Sequence, residues 1–461
     1  MQQSYSQNRI LTGGIAQQLM LFFLPIWFGT FFQQLYNTAD TLIVGNVVGT
    51  GALAAVGATG ALVQLLVGFF TGLCSGASVI VSQSYGAGNR DAVNRQVHTA
   101  LALALVGGAV LTVIGVAISR FALVLMQTPS DILDMASLYL RIYFLGMIPQ
   151  MLYNMGTSIL RAVGDSKRPL YFLIIASIVN IALDLLFVAV LHWGVAGAAV
   201  ATVLSQVVSA WLTLRCLVES PGMPWNIRAA EIRLDKKILE DICRIGLPTA
   251  LQGCLYSLSN IVIQRGINGF GTTAVAAWSV YGKIDFLFWM TVNSLGIAIT
   301  TFVGQNFGAG LYGRAKKATG ICLGMTAGIT LLISAALYPS SRVLMGVFSH
   351  DAAVVEQGVQ MMHFLVPTYI TYVCIEILSG ALRGCGDVKI PTLITCFGVC
   401  GLRVLWLVAA VPFHHTVAAV EFSYPLTWVI SSILFIVYYL KGGWLKKRIA
   451  AQQAMQQQEQ G

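Results

Sequence analysis

Apolar residues run along this chain in long stretches, and polar residues gather in the short segments between them. A helix of about 20 apolar residues crosses the hydrocarbon core of a bilayer. The pattern predicts an all-α integral membrane protein with twelve transmembrane helices, six in each half of the chain. The predicted spans cover residues 15–44, 52–82, 96–119, 132–160, 169–191, 194–217, 246–268, 273–304, 317–338, 353–381, 391–411 and 416–440.

Two short motifs occur twice at the same separation. The string VSQSYGAG at 81–88 is matched by VGQNFGAG at 303–310, and LRAVGDSKRP at 160–169 is matched by LRGCGDVKIP at 382–391. Both separations are 222 residues (303 − 81 and 382 − 160). Because each copy is far longer than a solenoid repeat, the pattern predicts two pseudo-symmetric six-helix lobes with the functional site between them. An even number of spans per lobe makes the two copies parallel in the membrane.

Basic residues lie mainly in loops on one face of the predicted bundle, and the opposite loops hold only Arg120, Arg265 and Arg342. By the positive-inside rule, this asymmetry predicts a multi-pass protein of the cell (inner) membrane with both termini in the cytoplasm. The net charge of +9 is explained by this topology and by anionic lipid headgroups, so nucleic acid is not an expected partner. We expect an amino-terminal lobe, a cytoplasmic linker, a carboxy-terminal lobe and a cytoplasmic tail, at 1–219, 220–245, 246–440 and 441–461.

Composition supports the membrane assignment and argues against several function classes. Hydrophobic residues make up 57% of the chain and charged residues 10%, whereas a soluble domain carries about 25% charged residues. Neither HExxH nor GxSxG occurs, and the repeated glycine motifs lack the Lys-Ser/Thr of a P-loop, so neither an enzyme nor ATP binding is indicated. The nine cysteines include no CxxC pair, which argues against a zinc site. An ion channel would need a pore-lining ring, which two unequal halves do not supply.

Acidic and amide side chains at membrane depth indicate where function lies, because a charge there is costly. The first span carries Tyr36, Asn37 and Asp40 on one helical stripe, and the fifth span carries Asn180 and Asp184 in the same way. Two carboxylates on separate helices, each within a turn or so of an amide, form a hard oxygen-ligand site for a proton or a sodium ion. A structural hydrogen-bond network between the helices is the alternative interpretation. No cofactor is indicated beyond this coupling ion.

The second half does not repeat this chemistry. The positions equivalent to Asn180 and Asp184 hold leucine and tryptophan, so we expect the coupling site in the first half alone. Glu376 in the tenth span is either a functional residue of the substrate cavity or one partner of a structural salt bridge. Pro25 inside the first span predicts a kink, which is either a hinge or a static bend.

These features together resemble the multidrug and toxic compound extrusion family. The resemblance covers nearly the whole chain and is carried by YNTAD at 36–40 and by the two repeated motifs. It implies a V-shaped bundle with a central cleft that exports amphipathic, often cationic compounds in exchange for sodium ions or protons. Some members use a glutamate of the seventh span, and this chain has no acid between 246 and 268. In members with a cation site in the amino-terminal lobe, the ligands match Asp40, Asn180, Asp184 and Thr202, with Tyr36 and Tyr139 as aromatic neighbours.

The expected mechanism is antiport by alternating access of the two lobes. Two nearby carboxylates repel each other in a low-dielectric lobe, so a proton or sodium ion relieves the repulsion and favours the conformation that releases substrate outward. We expect a monomer that exports small amphipathic or cationic drug-like compounds. A flippase for a lipid-linked or other amphipathic metabolite is the alternative, but such a protein would be expected to carry more basic residues along its cavity. The expected substrate cavity includes Tyr36, Asn37, Tyr139 and Glu376.

Overall fold

A computed structural model describes residues 8–450 as α-helices joined by short loops, with no β-strand in that range. Ten helical segments of this range are long and apolar enough to cross a membrane. An eleventh is formed by Ser130–Leu145 and Met147–Ala162, which meet at 51°. The remaining predicted span, 246–268, lies inside the long helix Lys236–Asn268, whose first turns are charged. The all-α membrane fold predicted from the sequence is therefore confirmed.

We number the helices in chain order. The first half of the chain contains α1 (Arg9–Thr12), α2 (Ile15–Ile43), α3 (Thr50–Gly86), α4 (Arg90–Leu125), α5 (Ser130–Leu145), α6 (Met147–Ala162), α7 (Lys167–Asp184) and α8 (Gly194–Val218). The second half contains α9 (Lys236–Asn268), α10 (Thr272–Gly308), α11 (Tyr312–Phe348), α12 (Ala352–Leu365), α13 (Val373–Gly384), α14 (Lys389–Ile394), α15 (Leu402–Ala409), α16 (Val417–Glu421) and α17 (Ser423–Lys441).

Short turns of other helix types extend or join these elements. Turns of π-helix continue α2 over Val44–Val48 and α7 over Leu185–Val190, and another joins α14 to α15 over Thr395–Gly401. Turns of 3₁₀-helix lie at Ala229–Glu231 and at Val366–Thr371, between α12 and α13. Several predicted spans are therefore interrupted helices rather than straight ones.

The helices form two compact units. The first unit is Leu24–Ala250, and the second contains residues 8–23 and 251–450 of the described chain. The units differ from the lobes expected from the sequence in two places. The start of the first predicted span, residues 15–23, belongs to the second unit, and the linker, residues 220–245, belongs to the first unit. Both divisions fall inside a long helix near a proline, Pro25 in α2 and Pro248 in α9.

Local contacts explain why the beginning of the chain groups with the second unit. The Arg314 guanidinium donates hydrogen bonds to the carbonyl oxygen of Ile10, at 3.0 and 3.2 Å, and to that of Gly13. The Asn8 amide donates to Gln305 Oε1 at 3.0 Å. Because α10 and α11 supply these partners, they hold the first residues of the described chain in place.

The linker between the two halves packs on α4 of the first unit. The Asn94 side chain donates to the carbonyl oxygen of Asn226 at 3.2 Å, and the Arg228 N–H donates to His98 Nε2 at 3.1 Å. His98 is buried, and its Nδ1 lies 2.8 Å from the Asn94 carbonyl oxygen. A histidine at this position therefore anchors the linker to a membrane helix.

Two glycines allow α3 and α9 to approach closely within the first unit. A Cβ added at Gly72 would lie 2.4 Å from the Cα of Ala250, and one at Gly76 would lie 2.4 Å from the carbonyl oxygen of Ile242. A Cβ at Gly68, about one turn earlier on α3, would meet nothing within 4 Å. Small residues of this kind let membrane helices pack backbone to backbone.

Candidate cation-binding site

The two acids predicted from the sequence lie together inside the first unit. Asp40 is near the end of α2 and Asp184 is the last residue of α7, and their carboxyl groups face each other at hydrogen-bonding range. Asp184 has no exposed surface, and Asn180, one turn earlier on α7, is also fully buried. The helical stripes seen in the sequence therefore place two carboxyl groups and one amide around a single point.

Most polar atoms of this group have no hydrogen-bond partner among the described residues. They are Oδ1 of Asp40, both carboxyl oxygens of Asp184, and both polar atoms of the Asn180 amide. An ionised carboxylate only accepts hydrogen bonds, so two of them side by side cannot satisfy each other. In a low-dielectric interior their repulsion is strong. A proton or a cation between them removes both problems.

The chemistry of these atoms suits a hard cation or a proton. Thr202 on α8 is buried, and its hydroxyl donates to the Ala198 carbonyl at 3.0 Å, which leaves the hydroxyl oxygen available as an acceptor. Within residues 8–450, no group of three or more His, Cys, Asp or Glu side chains is placed to hold a metal ion. Carboxylate, amide and hydroxyl oxygens favour alkali or alkaline-earth ions over the softer transition metals.

Aromatic rings border the acid pair. Tyr139 on α5 lies close to Asp40, to Asp184 and to Tyr36. Its ring stacks on that of Tyr143, with centroids 6.3 Å apart and planes inclined by 20°. The sequence interpretation of Tyr36 and Tyr139 as aromatic neighbours of the acids therefore agrees with their placement.

A polar cavity begins one helical turn before the acids on both α2 and α7. Its volume is about 50 Å³, which holds a few water molecules but not a drug-sized ligand. No lysine or arginine lines it. The cavity reaches Tyr36 on α2 and Asn180 on α7, each about one turn before one of the two acids. The polar residues that line it are Gln33, Tyr36, Gln150, Tyr153, Asn154, Ser177, Asn180, Ser205, Gln206 and Ser209.

Several lining residues were not selected from the sequence. Gln150 and Gln206 each carry an amide oxygen without a donor, and Gln150 also donates to the Tyr143 hydroxyl at 3.1 Å. A polar stripe was visible in the spacing of Gln150 and Asn154, which are four residues apart on α6. Such amides give a weaker signal in a sequence than acids do, because an uncharged group costs less to bury than a charge.

Three other predicted site residues have surroundings of their own. Asn37 is exposed on α2 and does not line the cavity. Pro25 lies within the continuous helix α2, beside the division between the two units. Glu376 lies on α13 in the second unit, where the Tyr372 hydroxyl donates to its Oε2 at 3.2 Å. A Cβ at Gly296 would lie 2.4 Å from Glu376 Oε1, so a glycine makes room for this acid.

Comparisons with known proteins agree with the fold and the repeat. A sequence model of the MatE family matches residues 25–186 and also 248–408. The chain is 31% identical over 447 residues to a Bacillus subtilis (strain 168) protein named "Probable multidrug resistance protein YoeA", covering 94% of this chain and 95% of that one. It is 26% identical over 356 residues to a Shewanella oneidensis protein named "FAD transporter", covering 76% and 78% of the two chains.

A solved structure shares the complete fold. A MOP superfamily transporter from Pyrococcus furiosus superposes with a TM-score of 0.87 at 23% identity, covering 96% of this chain and 98% of that one. The family model and the 31% identical relative make the class of protein a polytopic helical membrane transporter rather than an enzyme. The chain belongs to the MatE family, the multidrug and toxic compound extrusion family that its motifs resemble.

Proposed function

We propose that this protein is a secondary active exporter of small amphipathic, often cationic compounds, driven by antiport of protons or sodium ions. The observation that carries the proposal is the pair of adjacent carboxyl groups of Asp40 and Asp184, in which Oδ1 of Asp40 and both oxygens of Asp184 are buried without a donor. Two ionised carboxylates repel each other in a low-dielectric interior, so the pair is more stable with a bound cation or proton than without one. The names of relatives, such as "Probable multidrug resistance protein YoeA" of Bacillus subtilis, support drug-like substrates.

The acid pair acts as the coupling element. A proton or sodium ion entering from outside neutralises Asp40 and Asp184, and Asn180 and Thr202 supply neutral oxygens to it. The ion-bound pair and the ion-free pair favour different conformations of the protein, because the two carboxylates repel each other only when no ion is bound. Such coupling requires a different ion affinity in each conformation. One elementary charge moving through 100 mV supplies roughly 2.3 kcal/mol.

The oxygen set accepts either ion, so the proposal covers both. A transport assay in proteoliposomes with a separately imposed pH or sodium gradient distinguishes them. Efflux of a fluorescent organic cation should follow one gradient and collapse when that gradient is dissipated by an ionophore. Efflux that needs neither gradient would overturn the proposed antiport.

An amphipathic anionic metabolite is the second candidate substrate class. One observation favours it: Arg403 on α15 is buried, its Nε has no acceptor, and its guanidinium lies 4.3 Å from the ring centroid of Tyr424. A relative from Shewanella oneidensis is named an FAD transporter. Competition between FAD and an organic cation for transport tests this alternative. A flavin-specific carrier should transport FAD at the same rate with and without the organic cation.

We also propose a monomer with both termini on the cytoplasmic side. The positive-inside distribution of basic loops supports this orientation. In it, the 50 Å³ cavity lies on the cytoplasmic side of the acid pair, because α2 and α7 both begin at that face. The coupling ion would then leave the pair through this hydrated space.

A further inference from the structure

The second unit holds a partly buried acid that the coupling scheme does not use. Asp285 lies in the first half of α10, and the indole N–H of Trp289, one turn later, donates to its Oδ2 at 2.7 Å. The hydroxyl groups of Tyr281 and Tyr369, which are 3.1 Å apart, lie beside the same carboxyl group. Oδ1 of Asp285 has no donor. The acid therefore keeps one buried acceptor atom without a hydrogen bond.

The surroundings of Asp285 differ from those of the acid pair in the first unit. Asp40 and Asp184 lie together, and Oδ1 of Asp40 and both oxygens of Asp184 lack a donor, which favours a shared proton or a metal cation. An indole N–H and phenolic hydroxyls around Asp285 instead stabilise the ionised carboxylate by hydrogen bonding. An N–H donor also cannot ligate a metal ion, so this group suits a different kind of positive charge.

No basic side chain of the described residues neutralises Asp285. No lysine, arginine or histidine nitrogen of residues 8–450 lies within 4.0 Å of its carboxylate. Lys283, two residues earlier, points elsewhere, with its Nζ 5.5 Å from the ring centroid of Phe348. Arg403 stacks on Tyr424 and forms no ion pair with Asp285. A carboxylate at membrane depth without a counter-ion is costly and marks a site for a cationic partner.

The face of α10 that carries this acid is open one turn before it. Gly282 is exposed, and a Cβ added there would meet nothing within 4 Å. Gly282, Asp285, Trp289 and the exposed Asn293 recur at helical spacing and share that face. Trp289 is only partly buried, and its ring meets those of Phe288, Tyr372 and Trp428 edge to face rather than by stacking. The face thus combines a negative charge, an aromatic ring and an amide.

We propose that Asp285 and Trp289 bind the positively charged nitrogen of an aromatic organic cation, as a substrate-recognition site in the second unit. Asp285 supplies the charge, and the Trp289 ring supplies a flat surface for stacking and for cation–π attraction. The proposal rests on the proposed export function for its substrate class. It assigns charge selectivity to α10, whereas ion coupling is assigned to α2 and α7.

Equilibrium binding to the purified full-length protein, without any gradient, tests this assignment. The probes are ethidium, an aromatic monocation, and N-phenyl-1-naphthylamine, a neutral aromatic compound, both followed by fluorescence. Asp285→Asn should raise the Kd for ethidium by about tenfold or more, because a buried charge loses its partner. The Kd for the neutral probe should stay within about twofold, since stacking is retained. Asp285→Glu should bind ethidium better than Asp285→Asn does.

Lys283→Gln is the matched control, because it changes a charge two residues away that points elsewhere. Its ethidium binding should equal that of the parent protein. If Asp285→Asn does not fold, Trp289→Phe keeps an aromatic ring but removes the N–H donor, and it should weaken ethidium more than the neutral probe. An unchanged Kd for ethidium in the folded variants, or an equal loss for both probes, would overturn the proposal.

The same measurement separates this proposal from the coupling scheme. Asp184→Asn should retain ethidium binding and lose its dependence on pH or sodium. If the parent protein shows no ion dependence but Asp285→Asn still loses ethidium selectively, antiport coupling fails and the recognition site stands. If the ion dependence is present and Asp285→Asn binds ethidium normally, the recognition site fails alone.

Discussion

The carboxyl groups of Asp40 on α2 and Asp184 on α7 face each other inside the first unit, and no N–H or O–H of residues 8–450 donates to the oxygens of Asp184. When both acids are ionised, the ends of α2 and α7 therefore bring two negative charges together, and no hydrogen-bond donor compensates the charge of Asp184. Because carboxylates repel each other in a low-dielectric interior, the energy of this arrangement depends on whether a proton or a cation neutralises it.

Removing one carboxylate of this pair should uncouple transport. Asp184→Asn carries no charge and mimics a permanently protonated acid, so ion-driven efflux should fall to background while the protein still reaches the membrane. Glu376→Gln, in the other unit, should leave measurable efflux, because Tyr372 can still donate to the amide oxygen. Gradient-driven efflux from vesicles measures both. If Glu376→Gln abolished efflux and Asp184→Asn retained it, the coupling site would have to lie in the second unit.

Packing of α3 against α9 should depend on Gly72. In Gly72→Ala the new methyl group would lie 2.4 Å from the Ala250 Cα and 2.5 Å from its backbone nitrogen, so the helices must separate. Overpacking of this kind costs roughly 1–3 kcal/mol. Thermal unfolding in detergent should show a clear drop in Tm. Gly68→Ala is the control on the same helix, and its Tm should not fall, because nothing lies within 4 Å of the added atom.

Arg314 should hold the start of the chain on the second unit. Arg314→Gln loses hydrogen bonds to the carbonyl oxygens of Ile10 and Gly13. Hydrogen exchange of residues 8–14 should therefore become faster in this variant. Lys317→Gln removes an exposed charge from the same helix and should leave the exchange unchanged. Equal exchange in the parent protein and in Arg314→Gln would show that these contacts do not order the segment.

Reporter tags should find both ends of the chain in the cytoplasm. The even number of spans and the crowding of basic residues on one face require the two termini to share a side. Tags after Met1 and after Gly461 test this in intact cells. One tag on the outside would contradict the twelve-span, parallel-repeat topology.

Hydropathy predicted the helices well but not their interruptions. The fourth predicted span, 132–160, is bent by 51° between α5 and α6. The bend falls at Gly146, where a Cβ would lie 2.8 Å from Gln206 Oε1 and from Val203 Cγ2 of α8. Such a close approach depends on tertiary packing, which a hydropathy profile does not contain. Similarly, α9 begins at Lys236 rather than near residue 246, because a charged helical segment precedes the apolar run.

The candidate site was predictable in part. Helical spacing predicted the stripes that contain Asp40, Asn180 and Asp184, and an intramembrane acid is rare enough to be noticed. The amides of Gln150 and Gln206 were not predicted, because an uncharged side chain in a span reveals its role only when the neighbouring helices are known. Asn37 was grouped with Asp40 by spacing, but its side chain is exposed.

The central claim is that a cation on Asp40 and Asp184 opposes substrate binding, and the ion dependence of substrate affinity tests it most directly. Linkage between two ligands is reciprocal, so an ion that favours the substrate-releasing conformation must weaken substrate binding. We would measure the Kd of ethidium against pH and against sodium concentration in the parent protein and in Asp184→Asn. The account predicts that one of the two ions raises the Kd in the parent protein and has little effect in Asp184→Asn. The same ion dependence in both proteins would contradict it.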